Sequence, residues 1–475
     1  MYFTKRRKAA NMHKARFNLK YITSISLVAA LGGLLFGYDW VVIGGAKPFY
    51  EQFFQIAQEP SMQGWAMSSA LVGCIMGAVV SGFLAWRLGR KKLLILASLL
   101  FLLSAAGTGG SNHFATFIAF RILGGIGIGL ASNQSPVYIA EVAPASLRGR
   151  FVSLNQLTIV IGILLAQIMN WIIAQPVPDD ASGSFILSSW NGQTGWRFMF
   201  WAETIPAALF FLCMWFVPES PRWLTKNGQS EKAEAILSRI GGEDYAKFTL
   251  LEIESSLDSE SNQIRSASIL SKSIFPIVLI GVILALFQQW CGINVIFLYA
   301  EEVFSAAGYS VSDMLFNVMI TGSVNLIFTF IALSLVDRIG RKKLMLIGAG
   351  GLALIYTIVG TLYHSGSTGL PLLIFVVAAI ACYAMTLAPV TWVVLSEIFP
   401  NKVRGAAMAV ATFALWTGNA LLAYFFPIIN NRVGASGSFW IFALICVAGF
   451  FYIKTRLIET RGISLEEIEK KFLKK

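Results

Sequence analysis

Charged residues are scarce in this sequence: Asp, Glu, Lys and Arg make up 13% of 475 residues, against about a quarter in a soluble domain. That shortage excludes an ordinary water-facing surface. Histidine is rarer still, with only His13, His113 and His364, and their loop or terminal positions do not suit catalysis. The five cysteines (Cys74, Cys213, Cys291, Cys382, Cys446) lie in apolar stretches without metal-type spacing, so they read as small packing residues. No nucleophile–base pair, phosphate-cradling loop or metal cluster supports an enzyme, and no cofactor is expected. The first apolar stretch is too long for a signal-peptide core and has no convincing small-x-small cleavage site, so it is expected to remain as a helix.

What the chain has instead is apolar length. Apolar residues make up 56% of it, in uncharged runs of about 20 residues, the length that crosses a bilayer. The runs predict spans at 22–44, 64–85, 93–111, 114–138, 151–174, 197–217, 274–299, 313–336, 344–363, 371–396, 405–429 and 436–457. The expected fold is therefore an all-α membrane protein of twelve transmembrane helices.

The net charge of +12 invites a nucleic-acid reading, but its placement argues for a lipid bilayer and no nucleic acid. Residues 1–21 carry seven basic residues and no acid, and further basic clusters fall at Arg87–Lys92 and Arg338–Lys343. The opposite loops have few basic residues, chiefly Lys47 and Arg432. This asymmetry predicts a multi-pass protein of the cell membrane with both termini cytoplasmic.

Two motifs recur in the same order. Arg87-Leu-Gly-Arg-Lys-Lys-Leu93 returns as Arg338-Ile-Gly-Arg-Lys-Lys-Leu344, and Glu141-x-x-Pro144-x-x-x-Arg148-Gly149 returns as Glu397-x-x-Pro400-x-x-x-Arg404-Gly405. A duplicated six-helix unit is expected, with a ligand site between the halves near the membrane midplane. The predicted organisation is a basic N-terminus (1–21), one half (22–217), a cytoplasmic linker of short amphipathic helices (218–273), a second half (274–457) and a cytoplasmic tail (458–475). The chain is expected to work as a monomer.

Ionisable side chains within spans are costly and usually functional. Asp39, Arg121 and Glu203 each fall seven to eight residues from the outer ends of their spans, or about 10–12 Å. A buried carboxylate–guanidinium–carboxylate cluster at one depth is expected, suited to loading and releasing a proton. Taken alone, the three residues also suit a purely structural ion triad. Gln288, Gln289 and Asn294 point in different directions on a regular helix, and converge only if it breaks near Gly292. Carboxamides both donate and accept, which matches sugar hydroxyls, though interhelical hydrogen bonds are the alternative use. Asn325 adds another amide, and Trp392 and Trp416 offer stacking faces.

The ordered set of motifs resembles the sugar porter family of the major facilitator superfamily, with the bacterial xylose–proton symporters closest in pattern. It comprises Gly33-Leu-Leu-Phe-Gly-Tyr-Asp39, Arg87-x-Gly-Arg-Lys-Lys92, Glu141-x-x-Pro-x-x-x-Arg-Gly149, Pro218-Glu-Ser-Pro-Arg-Trp-Leu224, Gln288-Gln-x-x-Gly-x-Asn294, Asp337-Arg-x-Gly-Arg341, Pro389-x-x-Trp392 and Glu459-Thr-Arg-Gly-x-Ser-Leu-Glu-Glu467. The resemblance implies that Asp39 couples protons with Arg121 and Glu203, and that Gln288, Gln289, Asn294, Asn325 and Trp392 bind sugar. It further implies a cytoplasmic gating network, formed by Arg87, Arg90, Glu141, Arg148, Glu219, Arg222, Asp337, Arg338, Arg341, Glu397 and Arg404, that latches the outward-open state.

The sequence departs from that pattern at Ile163, Leu298 and Leu415, where polar residues are usual, and at Ala388 and Trp86. Gln167, one turn from Ile163, partly replaces the missing amide in this reading. The expected function is import of a pentose or hexose with a proton. A facilitative uniporter and a symporter of a less hydroxylated solute such as a polyol are the alternatives. A non-transporting sensor would carry a long cytoplasmic tail, and this tail is short.

Overall fold

A computed structural model describes residues 17–178, 181–263, 271, 274–367, 369–400 and 403–461, apart from the side chains of 258–263, Leu333 and Asp337. Most of the basic N-terminus and the tail beyond Arg461 lie outside the described residues.

Every long apolar run forms a helix, because only a helix satisfies its own backbone groups in lipid. Six helices build the first half: α1 (Leu19–Phe53), α2 (Pro60–Leu88), α3 (Arg90–Gly110), α4 (Phe114–Val142), α5 (Arg148–Ile173) and α6 (Asn191–Met214). The second half has α7 (Phe275–Leu298), α8 (Val311–Ile339), α9 (Arg341–His364) and α10 (Leu370–Ile398). Its last stretch, Arg404–Arg456, is one continuous helix of 53 residues except at Gly434, whose φ of 69° breaks it into α11 (404–433) and α12 (435–456). Among the described residues this makes twelve membrane-length helices. Large apolar side chains such as Phe83, Ile205, Phe216 and Leu444 face outward, as a lipid-bathed surface requires.

Three shorter helices join the halves: Pro221–Lys226, Ser230–Gly241 and Glu243–Gln263. The second is amphipathic and buries Ala233, Leu237 and Ile240 from one face. The Ile240 carbonyl accepts from the Asn18 backbone N–H at 2.9 Å, which ties the linker to the start of α1.

The two halves meet along α5 with α8 and along α2 with the final helix pair. On the side away from the basic loops they touch closely. A Cβ at Gly44 of α1 would come within 2.7 Å of the Phe297 carbonyl oxygen of α7, and one at Gly64 of α2 within 2.2 Å of the Tyr424 oxygen of α11. The molecule is thus closed at that end.

One expectation about topology needs correction. Lys47 and Arg432 are helical, not in loops, because α1 continues to Phe53 and the α11 segment runs past Arg432. The apolar run stops near residue 44, but the helix does not, since the charge that interrupts it is neutralised by neighbours described below.

Candidate functional site

Asp39 on α1 and Arg121 on α4 form a direct ion pair. The Arg121 Nη1 donates to the Asp39 carboxylate, and its Nη2 donates to the Asp39 carbonyl at 3.3 Å. Both residues are 1% exposed and Glu203 is 2% exposed. Glu203 occupies the step between the helical segments Trp196–Trp201 and Thr204–Met214 of α6, where it is an electrostatic neighbour of Asp39 and Arg121. Asp39 Oδ2, Arg121 Nε and Glu203 Oε1 are buried without a hydrogen-bond partner among the described residues. With both acids ionised, the cluster holds one negative charge more than Arg121 neutralises. One proton removes that excess, so the geometry suits proton loading.

The predicted break in α7 is present. The regular helix ends at Trp290, Gly292 adopts φ 92° and ψ −12°, and a new segment, Ile293–Leu298, begins. A side chain at that left-handed position would be strained, so glycine is required there. The break brings the three amides into one chain. Gln289 Nε2 donates to Gln288 Oε1 at 2.7 Å, and Asn294 Nδ2 donates to Gln289 Oε1 at 2.6 Å. Asn294 also points to Asn419 Oδ1 of α11 at 3.5 Å, a neighbour the sequence reading did not identify. Tyr383 of α10 is a hydrogen-bonding neighbour of Gln288.

The remaining predicted side chains come from both halves. The carboxamide of Gln167 on α5 lies against Gly322 of α8, one turn from Asn325, and both of its polar atoms are buried without a partner among the described residues. Trp416 is buried against Phe36 of α1, with ring centroids 5.6 Å apart. Trp392 is 36% exposed on α10, and among the described hydrogen bonds and ring contacts it has none to the amide chain. Ile163, Leu298 and Leu415 are buried. α10 is also interrupted, at Thr386, two residues before Ala388.

At the basic-loop end the duplicated motifs build duplicated constellations. In the first half, Arg90 Nη2 donates to Glu141 at 2.9 Å and the Ser220 hydroxyl donates to the other Glu141 oxygen at 2.5 Å. In the second, Arg341 Nη2 donates to Glu397 at 3.1 Å and the Thr460 hydroxyl donates to it at 2.5 Å. Glu219 accepts from the backbone N–H groups of Arg90 and Lys91 at the start of α3, and Glu459 accepts from those of Arg341 and Lys342 at the start of α9. A carboxylate at a helix N-terminus meets free N–H groups and the positive end of the dipole. Burial pushes the Glu219 carboxyl upward, and the N–H donors and Arg90 draw it partly back. Glu459–Thr460 therefore mirrors Glu219–Ser220, a correspondence that sequence reasoning missed because only the short pattern Glu-Ser/Thr carries it.

The other members of the predicted network are placed more loosely. Arg222 donates to Ser256 at 3.4 Å, Arg404 donates to the Phe399 carbonyl at 3.2 Å, and Arg87, Arg148 and Arg338 are exposed. The side chain of Asp337 lies outside those described. The pairs Arg90–Glu141 and Arg341–Glu397 each join residues of one half. Trp86 lies under Lys226, whose Nζ is 5.5 Å from its ring centroid, and its carbonyl accepts from Trp223 Nε1 at 3.0 Å.

An unanticipated cluster sits at the closed end. Lys47, 2% exposed, is within 3.1 Å of Glu51 and 2.9 Å of both Glu301 and Glu302. It connects α1 of one half with the helix that follows α7 of the other. The available sequence signals were the i,i+4 spacing of Lys47 and Glu51 and the Glu301–Glu302 doublet.

Two six-helix halves enclosing a broken helix and a buried ion cluster define a membrane transporter of the major facilitator fold. A family model described as "Sugar (and other) transporter" matches residues 25–472. The chain belongs to this sugar transporter family. It is 39% identical over 484 aligned residues to the D-xylose-proton symporter of Escherichia coli (strain K12), covering 96% of each protein. It is also 39% identical over 459 residues to the arabinose-proton symporter of Bacillus subtilis (strain 168), again covering 96% of each. The inward open conformation of the xylose transporter XylE from E. coli superposes with a TM-score of 0.83 at 38% identity, covering 94% of this chain and 99% of that one.

Proposed function

We propose that this protein is a sugar–proton symporter that carries a pentose or hexose across the cell membrane by alternating access. The observation that carries the reading is the Asp39–Arg121–Glu203 cluster in one half, in a fold whose other half has α7 broken into an amide chain. A sugar binds where Gln288, Gln289 and Asn294 exchange their mutual hydrogen bonds for sugar hydroxyls, with Gln167 and Asn325 on the facing wall and Trp416 offering a ring face. Trp392 contributes from the exposed side of that cleft. Asp39 carries the proton, with Arg121 holding it in place and Glu203 completing the charge balance. The names of the xylose and arabinose relatives support a sugar and a proton as the transported pair.

The end bearing Arg87–Lys92 and Arg338–Lys343 faces the cytoplasm, as the charge asymmetry favours. The closed end that contains Lys47 then faces outward, and the state described is inward-facing. The gating network fastens across the halves in the outward-facing state and separates into its two half-internal constellations in this one. The division at 1–21, 22–217, 218–273, 274–457 and 458–475 follows the same scheme, and one chain is the transport unit. A thermal-shift screen of purified protein against pentoses, hexoses and polyols tests the substrate reading. Stabilisation by polyols and not by any monosaccharide would reject it.

A further inference from the structure

With its three acids ionised, the outer cluster holds more negative charge than Lys47, the one cation paired with them among the described residues, neutralises. Lys47 (α1) faces Glu51 of its own helix and Glu301 and Glu302 from the segment after α7. The polar groups near it include Tyr50 from α1, Gln63 from α2, Tyr299 beside α7 and Asn431 from α11, with Arg121 of α4 as a more distant cation. A polar cavity of about 380 Å³ adjoins them. The side chains of Glu301 and Glu302 keep 29% and 20% of their surface exposed, whereas those of Glu51 and Lys47 keep 4% and 3%.

Glu51 is held in a one-sided way. Its Oε2 accepts from Lys47 Nζ at 3.1 Å and from Gln63 Nε2 at 3.0 Å. Its Oε1 is buried and meets no donor among the described residues. Glu302 Oε2 is likewise buried without a partner among the described residues, but Glu51 keeps the least exposed side chain of the three acids, so its ionised Oε1 would have neither a donor nor water, and a proton there removes that charge. We propose that this cluster is a second proton site, separate from Asp39, and that Glu51 takes up a proton when the outer side closes. Lys47 then serves Glu301 and Glu302, which need it most in the closed state. When α7 moves away from α1, Lys47 and Glu51 remain as an i,i+4 pair on α1 exposed to water, and Glu51 gives its proton back. Closing binds a proton, so acid outside favours closure and the step toward the inward-facing state. The inference rests on alternating access and is independent of the sugar site.

The test uses full-length protein with its five cysteines replaced, spin labels at Gln58→Cys and Ala306→Cys, and an Asp39→Asn background that silences the inner site. Distances are recorded between about pH 5 and 9. The short-distance, closed population should fall as pH rises, with a closed-to-open ratio changing up to about tenfold per pH unit. Glu51→Gln should remove that slope and hold the closed form throughout. Lys47→Met, which remains informative if Glu51→Gln does not fold, should steepen the slope, because closure must then neutralise one more carboxylate. No slope in the parent, a slope unchanged by Glu51→Gln, or one unchanged by Lys47→Met would overturn the proposal.

Discussion

Replacing Asp39 by Asn tests the coupling argument without wrecking the cluster. Arg121 and Asp39 are each 1% exposed, and stranding either charge in such a place costs roughly 3–5 kcal/mol. Asp39→Asn strands nothing, because Glu203 still balances Arg121 and the cluster becomes neutral, as it is in the protonated wild type. The variant should therefore fold and bind sugar. What it loses is the driving force. A proton crossing 100 mV gains about 2.3 kcal/mol, so about 150 mV supplies roughly 3.5 kcal/mol, enough for more than a hundredfold sugar accumulation. In proteoliposomes with an imposed potential, Asp39→Asn should exchange labelled sugar across the membrane yet fail to accumulate it. Arg121→Ala, in contrast, leaves two buried carboxylates without a cation and should reduce the yield of folded protein. Uphill accumulation by Asp39→Asn equal to that of the wild type would refute the reasoning.

Truncating the amide chain should weaken binding by about 1–3 kcal/mol, or roughly 5- to 150-fold in Kd, for either Gln288→Ala or Asn294→Ala. Calorimetric titration checks this, and unchanged constants in both variants would move the site elsewhere. Gly44→Val adds a side chain whose Cβ alone would lie within 2.7 Å of the Phe297 oxygen, so it should prop the outer side open. It should abolish net transport while sugar added outside still protects against labelling in the cleft. The apolar wall of Ile163, Leu298 and Leu415 should favour ligands with fewer hydroxyls on that side, such as pentoses or deoxy sugars, since only sites that hydrogen-bond a hydroxyl reject analogues lacking it strongly. Ile163→Gln with Leu415→Gln should move preference toward hexoses in competition uptake, provided folded protein is matched, because unsatisfied new amides reduce stability. A wild type that already prefers a hexose to every pentose and deoxy sugar would contradict this.

Much of the architecture was legible because a bilayer leaves a chain few choices. The apolar runs located all twelve helices, and their ends differed chiefly where a helix outlasts its hydrophobic stretch, as α1 does from residue 45 to Phe53. The break at Gly292 was legible from three amides that only a break brings together. Asp39 and Arg121 stood out because an intramembrane charge needs a partner. The Lys47 cluster was not legible, since Glu301 and Glu302 lie 254 and 255 residues away and nothing local reveals that α1 and α7 meet. For the same reason, the pairing of Gln167 with Gly322 emerges only when α5 lies against α8. The repeated motifs pointed to Arg90, Glu141, Arg341 and Glu397, which the structure pairs as Arg90–Glu141 and Arg341–Glu397, but sequence does not specify which state of the cycle is adopted.

The central claim is that one proton travels with one sugar, and a reversal measurement in proteoliposomes reads it directly. Net sugar flux is followed while an imposed pH gradient is set against an opposing sugar gradient. With tight one-to-one coupling and the membrane potential held at zero, about one pH unit balances about a tenfold sugar gradient, and the balance point shifts in proportion when either is changed. If the flux instead reverses at equal sugar concentrations whatever the pH gradient, the protein is a uniporter and the coupling role of Asp39, Arg121 and Glu203 is wrong.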